Sequence, residues 1–190
     1  MRVMSIIDHP WTDSLNHAIW KTLGESLRDA GHEVDELDLH REHFNPVMNV
    51  DELAGYTAGR YIDPAVGRYQ ARLDRTDYLF LVFPVWWESA PALLKGFFDK
   101  VFLPGWAFAE EDFSPKLGHI LGATVITTMG APKAIHTSVE SGICKGLLEA
   151  CGVRRTQWIN FFDVGNSTEK ERSGWLNRVR TCASDLLCSE

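Results

Sequence analysis

The spacing of apolar residues changes repeatedly along the chain. Val3 to Ile7 is a short continuous apolar run, halted by Asp8-His9-Pro10, which reads as a fully buried strand. From Asp13 onward Leu15, Ile19, Leu23 and Leu27 recur every fourth residue with charges between them. That is an amphipathic helix, capped by Asp13 or Ser14 and closed near Gly31. "HEVDELDL" then alternates apolar and acidic positions and reads as a second strand. "YLFLVF" (78–83) is the strongest buried-strand signal, "ATVITTMG" (123–130) is a strand ending in small polar residues, and "TQWINFFDV" is a last strand. Helical patterns run from Pro64 to about Arg75 and from 91 to 102, each with proline near its start. Another helix reaches about Ala150, and one over 168–187 carries Trp175, Leu176, Val179 and Leu186 as its apolar stripe. Residues 39–63 show no period although they hold Phe44, Met48, Tyr56 and Tyr61. A connection this long in a compact domain is functional or covers something.

Strand and helix patterns alternate five times, and the strands at 3–7, 78–83 and 123–128 are apolar throughout. A parallel sheet covered on both faces produces that pattern. With 190 residues, one domain over 1–190 is expected. The predicted architecture is α/β, a flavodoxin-like three-layer sandwich around a five-stranded parallel sheet of order 2-1-3-4-5.

Composition narrows the function. The chain is 45% hydrophobic and 24% charged, with a net charge of −7 and no basic cluster, which argues against nucleic acid or an anionic membrane as partner. No apolar run approaches the roughly 20 residues of a membrane span. The start, "MRVMSIIDHP", lacks the length and cleavage site of a signal peptide, so a cytoplasmic protein is expected. Cys144, Cys151, Cys182 and Cys188 fall in helical segments without paired spacing, so inert thiols are expected rather than disulfides or a metal site.

In such a sheet ligands bind beyond the carboxyl ends of the strands, where the strand order reverses. Three loops meet that edge: "DHPWTDSLNHA", "PVWWESAP" and "TTMGAP". The first leads into a helix N-terminus bearing Thr12, Ser14 and Asn16, with His9 at its mouth; unpaired amides and hydroxyls there suit a phosphate, or Ser14 simply caps its helix. The second offers Trp86 and Trp87, which would pack against a flat heteroaromatic ligand, or lie under the 39–63 segment or in a subunit interface. The third supplies two hydroxyls and Gly130, a clamp or a plain strand end. Phosphate site, aromatic platform and polar clamp in that order describe a flavin mononucleotide laid along the edge.

"FPVWWESAPALLKGFFDKVFLPGWAF" resembles the signature of the NAD(P)H:quinone oxidoreductases related to DT-diaphorase. "DHPWTDSLNHAI" is similar to that family's phosphate loop, with Leu15 in place of the usual Phe, and "ITTMGAP" to its Thr-Thr-Gly-Gly clamp, with Met129 at the first glycine. The resemblance implies a flavoenzyme, usually a homodimer, using FMN (FAD as the alternative) with NAD(P)H as co-substrate and a quinone-like acceptor. By position, it assigns His9, Ser14, Leu15 and Asn16 to the phosphate. It assigns Pro84, Val85, Trp86, Trp87 and Glu88 to the border of the ring, and Thr127, Thr128, Met129 and Gly130 to its pyrimidine side. Ile135 and Ser141 stand where the larger mammalian members carry a Tyr and a His, which leaves the neighbouring His136 as the catalytic candidate. Met129 is expected to crowd the ring face, and Leu93, Leu94, Phe97 and Phe98 to carry a dimer contact. The implied reaction is a two-step hydride relay through flavin N5. The rival functions are a flavodoxin-type single-electron carrier and a regulatory flavoprotein subunit of a potassium-efflux system.

Overall fold

A computed structural model describes residues 1–133 and 137–188. Its strands are β1 (Arg2–Ile7), β2 (Glu33–Asp38), β3 (Tyr78–Pro84), β4 (Gly122–Thr128) and β5 (Thr156–Phe161). They form one sheet in the order β2-β1-β3-β4-β5, every neighbouring pair parallel. The architecture and strand order expected from the sequence are therefore those of the molecule. The order reverses between β1 and β3, which places the switch point between the ends of those two strands.

Alternation along the strands sorts the core into two layers. Met4, Ile6, Leu79, Leu81, Phe83 and Val125 face α3 (Pro64–Leu73) and α4 (Ala92–Val101) on one side. Val3, Ile7, Phe80, Val82 and Ile126 face α1 (Leu15–Asp29) and α5 (Glu169–Ser184) on the other. Between β4 and β5 the expected helix exists, but Val139–Glu149 is wound with wide π-type turns, as the bond from Ala150 N to the Lys145 carbonyl shows at 3.2 Å.

The 39–63 segment, aperiodic in sequence, contains α2 (Val50–Gly55), opened by a capping box in which Asn49 and Glu52 satisfy each other's amides. One expectation is corrected: of the four α4 residues expected to carry a dimer contact, Leu94, Phe97 and Phe98 lie 1%, 0% and 5% exposed in the chain's own core, while Leu93 is half-buried. Among the described residues no helix is long and apolar enough to cross a membrane, and no group of three metal-ligating side chains is assembled.

Candidate functional site

The carboxyl edge is built from the ends of β1, β3 and β4. After β1 the chain turns through His9-Pro10-Trp11, with His9 Nδ1 at 3.1 Å from the Trp11 amide and Ser14 N donating to the Trp11 carbonyl at 3.2 Å. Ser14 then caps α1, its hydroxyl accepting from the His17 amide at 3.3 Å. Ahead of that bond the Leu15 and Asn16 amides head the helix with no intrahelical acceptor, at the positive end of its dipole. Burial pushes the His9 imidazole below its ordinary range, against the opposing effect of its bond to Trp11, and the nearby His17 and His40 add to the lowering.

After β3, Trp86 and Ser89 exchange both backbone hydrogen bonds, at 3.0 and 3.2 Å, around Trp87 and Glu88. Both central residues have positive φ, 48° and 66°. This is the backbone of a type I′ turn, a conformation that favours Gly, Asn and Asp, yet a tryptophan and a glutamate occupy it. The strained turn lifts Trp87 to 99% exposure, with Trp86 at 48%. Neither ring lies under the 39–63 segment, one of the alternatives the sequence left open. The Glu88 carbonyl holds the turn down by accepting from Ser138 N at 2.9 Å and from the hydroxyls of Thr137 and Ser138 at 2.7 and 2.8 Å.

The three loops meet. Asn16 Nδ2 donates to Thr128 Oγ1 at 2.9 Å, joining the head of α1 to the end of β4. Val85 N donates to the Thr128 carbonyl at 2.8 Å, joining the tryptophan turn to the same point. His9 and Trp86 rings sit 6.3 Å apart, which closes the triangle. Pro84 is the last residue of β3 and is buried, and Leu15 is half-buried at the first turn of α1.

Within the third loop the side chains divide. Thr127 is spoken for internally: its hydroxyl donates to Asn160 Oδ1 and accepts from Trp158 Nε1, both at 2.8 Å. Met129 is 5% exposed, with its sulfur 3.4 Å from Asn160 Nδ2. Its amide donates to the Phe161 carbonyl at 2.9 Å. Met129 thus packs toward β5. Gly130 is exposed, and a Cβ built on it would meet nothing within 4 Å. His136 lies outside the described residues.

Two residues at this edge escaped the sequence reading, Asp8 and His40. Asp8 is 1% exposed, and its carboxylate accepts from Leu94 N at 2.7 Å and contacts His40 Nε2 at 2.9 Å. A carboxylate directly after an apolar central strand was the available signal.

A flavin mononucleotide can be tested against these residues. The Leu15 and Asn16 amides and the Ser14 hydroxyl suit its phosphate. Asn16 is 3% exposed, yet its Oδ1 has no hydrogen-bond partner, which is costly for a buried amide oxygen unless a donor completes it; a ribityl hydroxyl of the flavin supplies a donor, and the phosphate does not. The raised Trp87 ring suits a flat face. The residues present therefore fit the group.

The model of the flavodoxin-like fold family matches residues 1–181. The chain belongs to the flavodoxin-like fold family. Within that family, a Rattus norvegicus protein named NAD(P)H dehydrogenase (quinone) 1 is 26% identical over 211 residues, covering 95% of this chain and 77% of that protein. The Escherichia coli K12 NAD(P)H oxidoreductase YcaK is 36% identical over 110 residues, a match covering 57% of this chain and 56% of YcaK. Among solved structures, the NAD(P)H:quinone oxidoreductase from Methanothermobacter marburgensis superposes with a TM-score of 0.84 at 25% identity, over 98% of this chain and 96% of that one. The family resemblance carried by the tryptophan stretch thus extends, through these flavodoxin-like relatives, over nearly the whole chain.

Proposed function

We propose that this protein is a flavin-dependent NAD(P)H oxidoreductase that reduces a quinone or similarly flat acceptor. The relatives' names supply the reaction class. The observation that carries the reading onto this chain is the convergence of three loops on Asn16, whose buried Oδ1 has no partner, and on the fully raised Trp87 ring. FMN is the preferred cofactor, with FAD the alternative, and the chain works as a single flavin-binding domain, in the cytoplasm and as a homodimer.

When bound, a flavin supplies hydride acceptance from NAD(P)H and hydride delivery to the acceptor, both at N5. This chain's residues bind and orient. The Leu15 and Asn16 amides with the Ser14 hydroxyl hold the phosphate, and His9 closes its mouth as a hydrogen-bonding group. The Trp86–Ser89 turn, with Pro84, Val85 and Glu88, borders the ring. Of the backbone at 127–130, Gly130 N is the donor placed to stabilise negative charge on the ring's pyrimidine side, because the Met129 amide is committed to Phe161. Gly130 also leaves the open approach this requires. Thr128 braces Asn16, and Thr127 braces β5.

NAD(P)H and the acceptor take turns on the same exposed face, which makes the kinetics ping-pong. Initial-rate lines against NAD(P)H at several quinone concentrations are expected to run parallel. Intersecting lines would contradict the shared face.

A further inference from the structure

Helix α4 begins immediately after the tryptophan turn, and its N-cap is Pro91, which makes no side-chain capping bond. A buried helix end without a cap leaves amides unsatisfied. The missing acceptor comes from 86 residues away: Asp8 Oδ2 accepts from Leu94 N at 2.7 Å. The other oxygen of that carboxylate, Oδ1, meets His40 Nε2 at 2.9 Å.

From His40 the connection continues to the head of α1. His40 N donates to Asp38 Oδ1 at 3.0 Å, and Asp38 Oδ2 lies 3.5 Å from His17 Nε2. His17 Nδ1 is then 3.3 Å from Ser14 Oγ, the hydroxyl at the phosphate cradle. An unbroken polar path therefore runs from the first turn of α4 to the first turn of α1, by way of the end of β2. Burial pushes the Asp8 carboxyl above its ordinary range, against the opposing effect of the Leu94 and His40 bonds. The fold keeps a carboxylate where ionisation is costly, which marks it as more than packing.

We propose that Asp8 is a positioning residue of the oxidoreductase site. Its carboxylate caps α4 in place of Pro91 and, through His40, Asp38 and His17, fixes the tryptophan turn relative to the phosphate cradle. A flavin held at both ends needs that separation fixed, because its phosphate and its ring are anchored by different loops. This inference rests on the flavin reading of the edge.

The test pairs a ligand-free readout with a ligand-dependent one: amide hydrogen exchange of residues 13–17 and 85–95, and FMN affinity by fluorescence quenching, in the wild type, Asp8→Ala and Asp8→Asn. In Asp8→Ala both segments are expected to exchange faster while β3 and β4 stay protected, and the Kd for FMN rises roughly tenfold. Asp8→Asn retains an oxygen for Leu94 N and is expected to recover affinity to within about threefold of wild type. A merely structural cap would lower the melting temperature and speed exchange at 85–95 alone, leaving exchange at 13–17 and FMN affinity unchanged, which overturns the proposal. If Asp8→Ala does not fold, the same readouts on His40→Ala decide, with faster exchange at 13–17 and weaker FMN binding expected. A wild-type protein that binds no FMN would sink the flavin reading; exchange at 85–95 in the variants would still decide whether Asp8 holds the turn.

Discussion

Glu52 and Asp8 are both buried carboxylates that cap a helix and meet a basic side chain, yet they do different work. Glu52 caps its own helix through the Asn49 amide at 2.9 Å and pairs with Lys100 at 3.0 Å. Lys100 is itself 4% exposed, with further bonds to the Asn45 carbonyl at 3.0 Å and the Phe44 ring 5.6 Å away. Every group there is matched by a fixed partner, and the effect is to seal the 39–63 segment against α4. Asp8 caps a helix distant in sequence, and its base is a half-buried histidine on a path that ends at the proposed cofactor cradle. The edge that Asp8 joins holds an unsatisfied buried carboxamide oxygen, Asn16 Oδ1, whereas among the described residues of the 39–63 segment no buried side-chain polar atom lacks a partner. Both regions contain a left-handed side chain, Trp87 at the edge and His43 in the segment, so incomplete satisfaction, rather than burial of charge or backbone strain, separates this site from this staple.

Cavity size does not make that distinction. A cleft of about 300 Å³ lies at the opposite edge of the sheet, between Arg2, Glu33, Asp35 and Arg72. Arg2 pairs there with Glu33 at 3.1 Å, and Arg72 holds Asp35 with two bonds at 2.6 and 2.9 Å.

The largest expected effect falls on the staple. Lys100→Met strands the Glu52 carboxylate and should cost about 3–5 kcal/mol in denaturant unfolding, whereas the double change with Glu52→Leu should recover most of it. If Lys100→Met alone were neutral, Glu52 would be no better satisfied than Asp8 and the contrast would fail.

At the site the sign reverses. Trp87→Gly removes a left-handed side chain and should raise stability by about 1–2 kcal/mol. It should also weaken FMN binding roughly tenfold, since an aromatic contact is worth about 1 kcal/mol beyond its area. Trp87→Ala, which keeps the strain, should weaken flavin retention with the fold intact, and unchanged occupancy would return the ring to an interface role.

Two buried groups give opposite pH signatures. The Asp8 carboxyl is raised in the fold, so its contribution is most favourable below the unfolded value of 3.8 and is lost as pH rises through the folded value. Asp8→Asn should flatten that loss in a stability–pH series. His32 is 6% exposed with both ring nitrogens unpartnered, and burial lowers its folded value below 6.5. Its stability is present above pH 6.5 and is lost as pH falls from there toward the folded value, so His32→Leu should remove that acid-side loss. An unchanged acid limb would mean His32 is not buried neutral. The smallest effect is at the opposite edge, where Arg72→Ala breaks a partly exposed pair and should cost about 1 kcal/mol or less without moving FMN affinity.

The sheet was legible because its three central strands, β1, β3 and β4, are apolar on both faces, as a parallel sheet covered by helices requires. The capping box of α2 was also legible, as Asn49 and Glu52 three residues apart, but the surrounding segment has no hydrophobic period to draw attention to it. At the edge, loop membership could be read in the sequence and side-chain direction could not. Thr127 and Thr128 are neighbours, yet alternation sends one to β5 and the other to α1. The misplacement of the α4 stripe has a similar cause, because an apolar helix face looks the same in sequence whether it meets its own sheet or a second subunit. The capping role of Asp8 was hidden for another reason: the sequence shows a carboxylate at the end of β1 but not the helix, 86 residues on, that it caps.

The central claim is that the carboxyl edge holds a flavin which NAD(P)H reduces. The most direct measurement is the visible absorption spectrum of the purified protein, after incubation with FMN and with FAD, during anaerobic titration with NADPH. The account predicts a bound yellow chromophore that bleaches in a single two-electron phase. A protein that stays colourless with either flavin would contradict it.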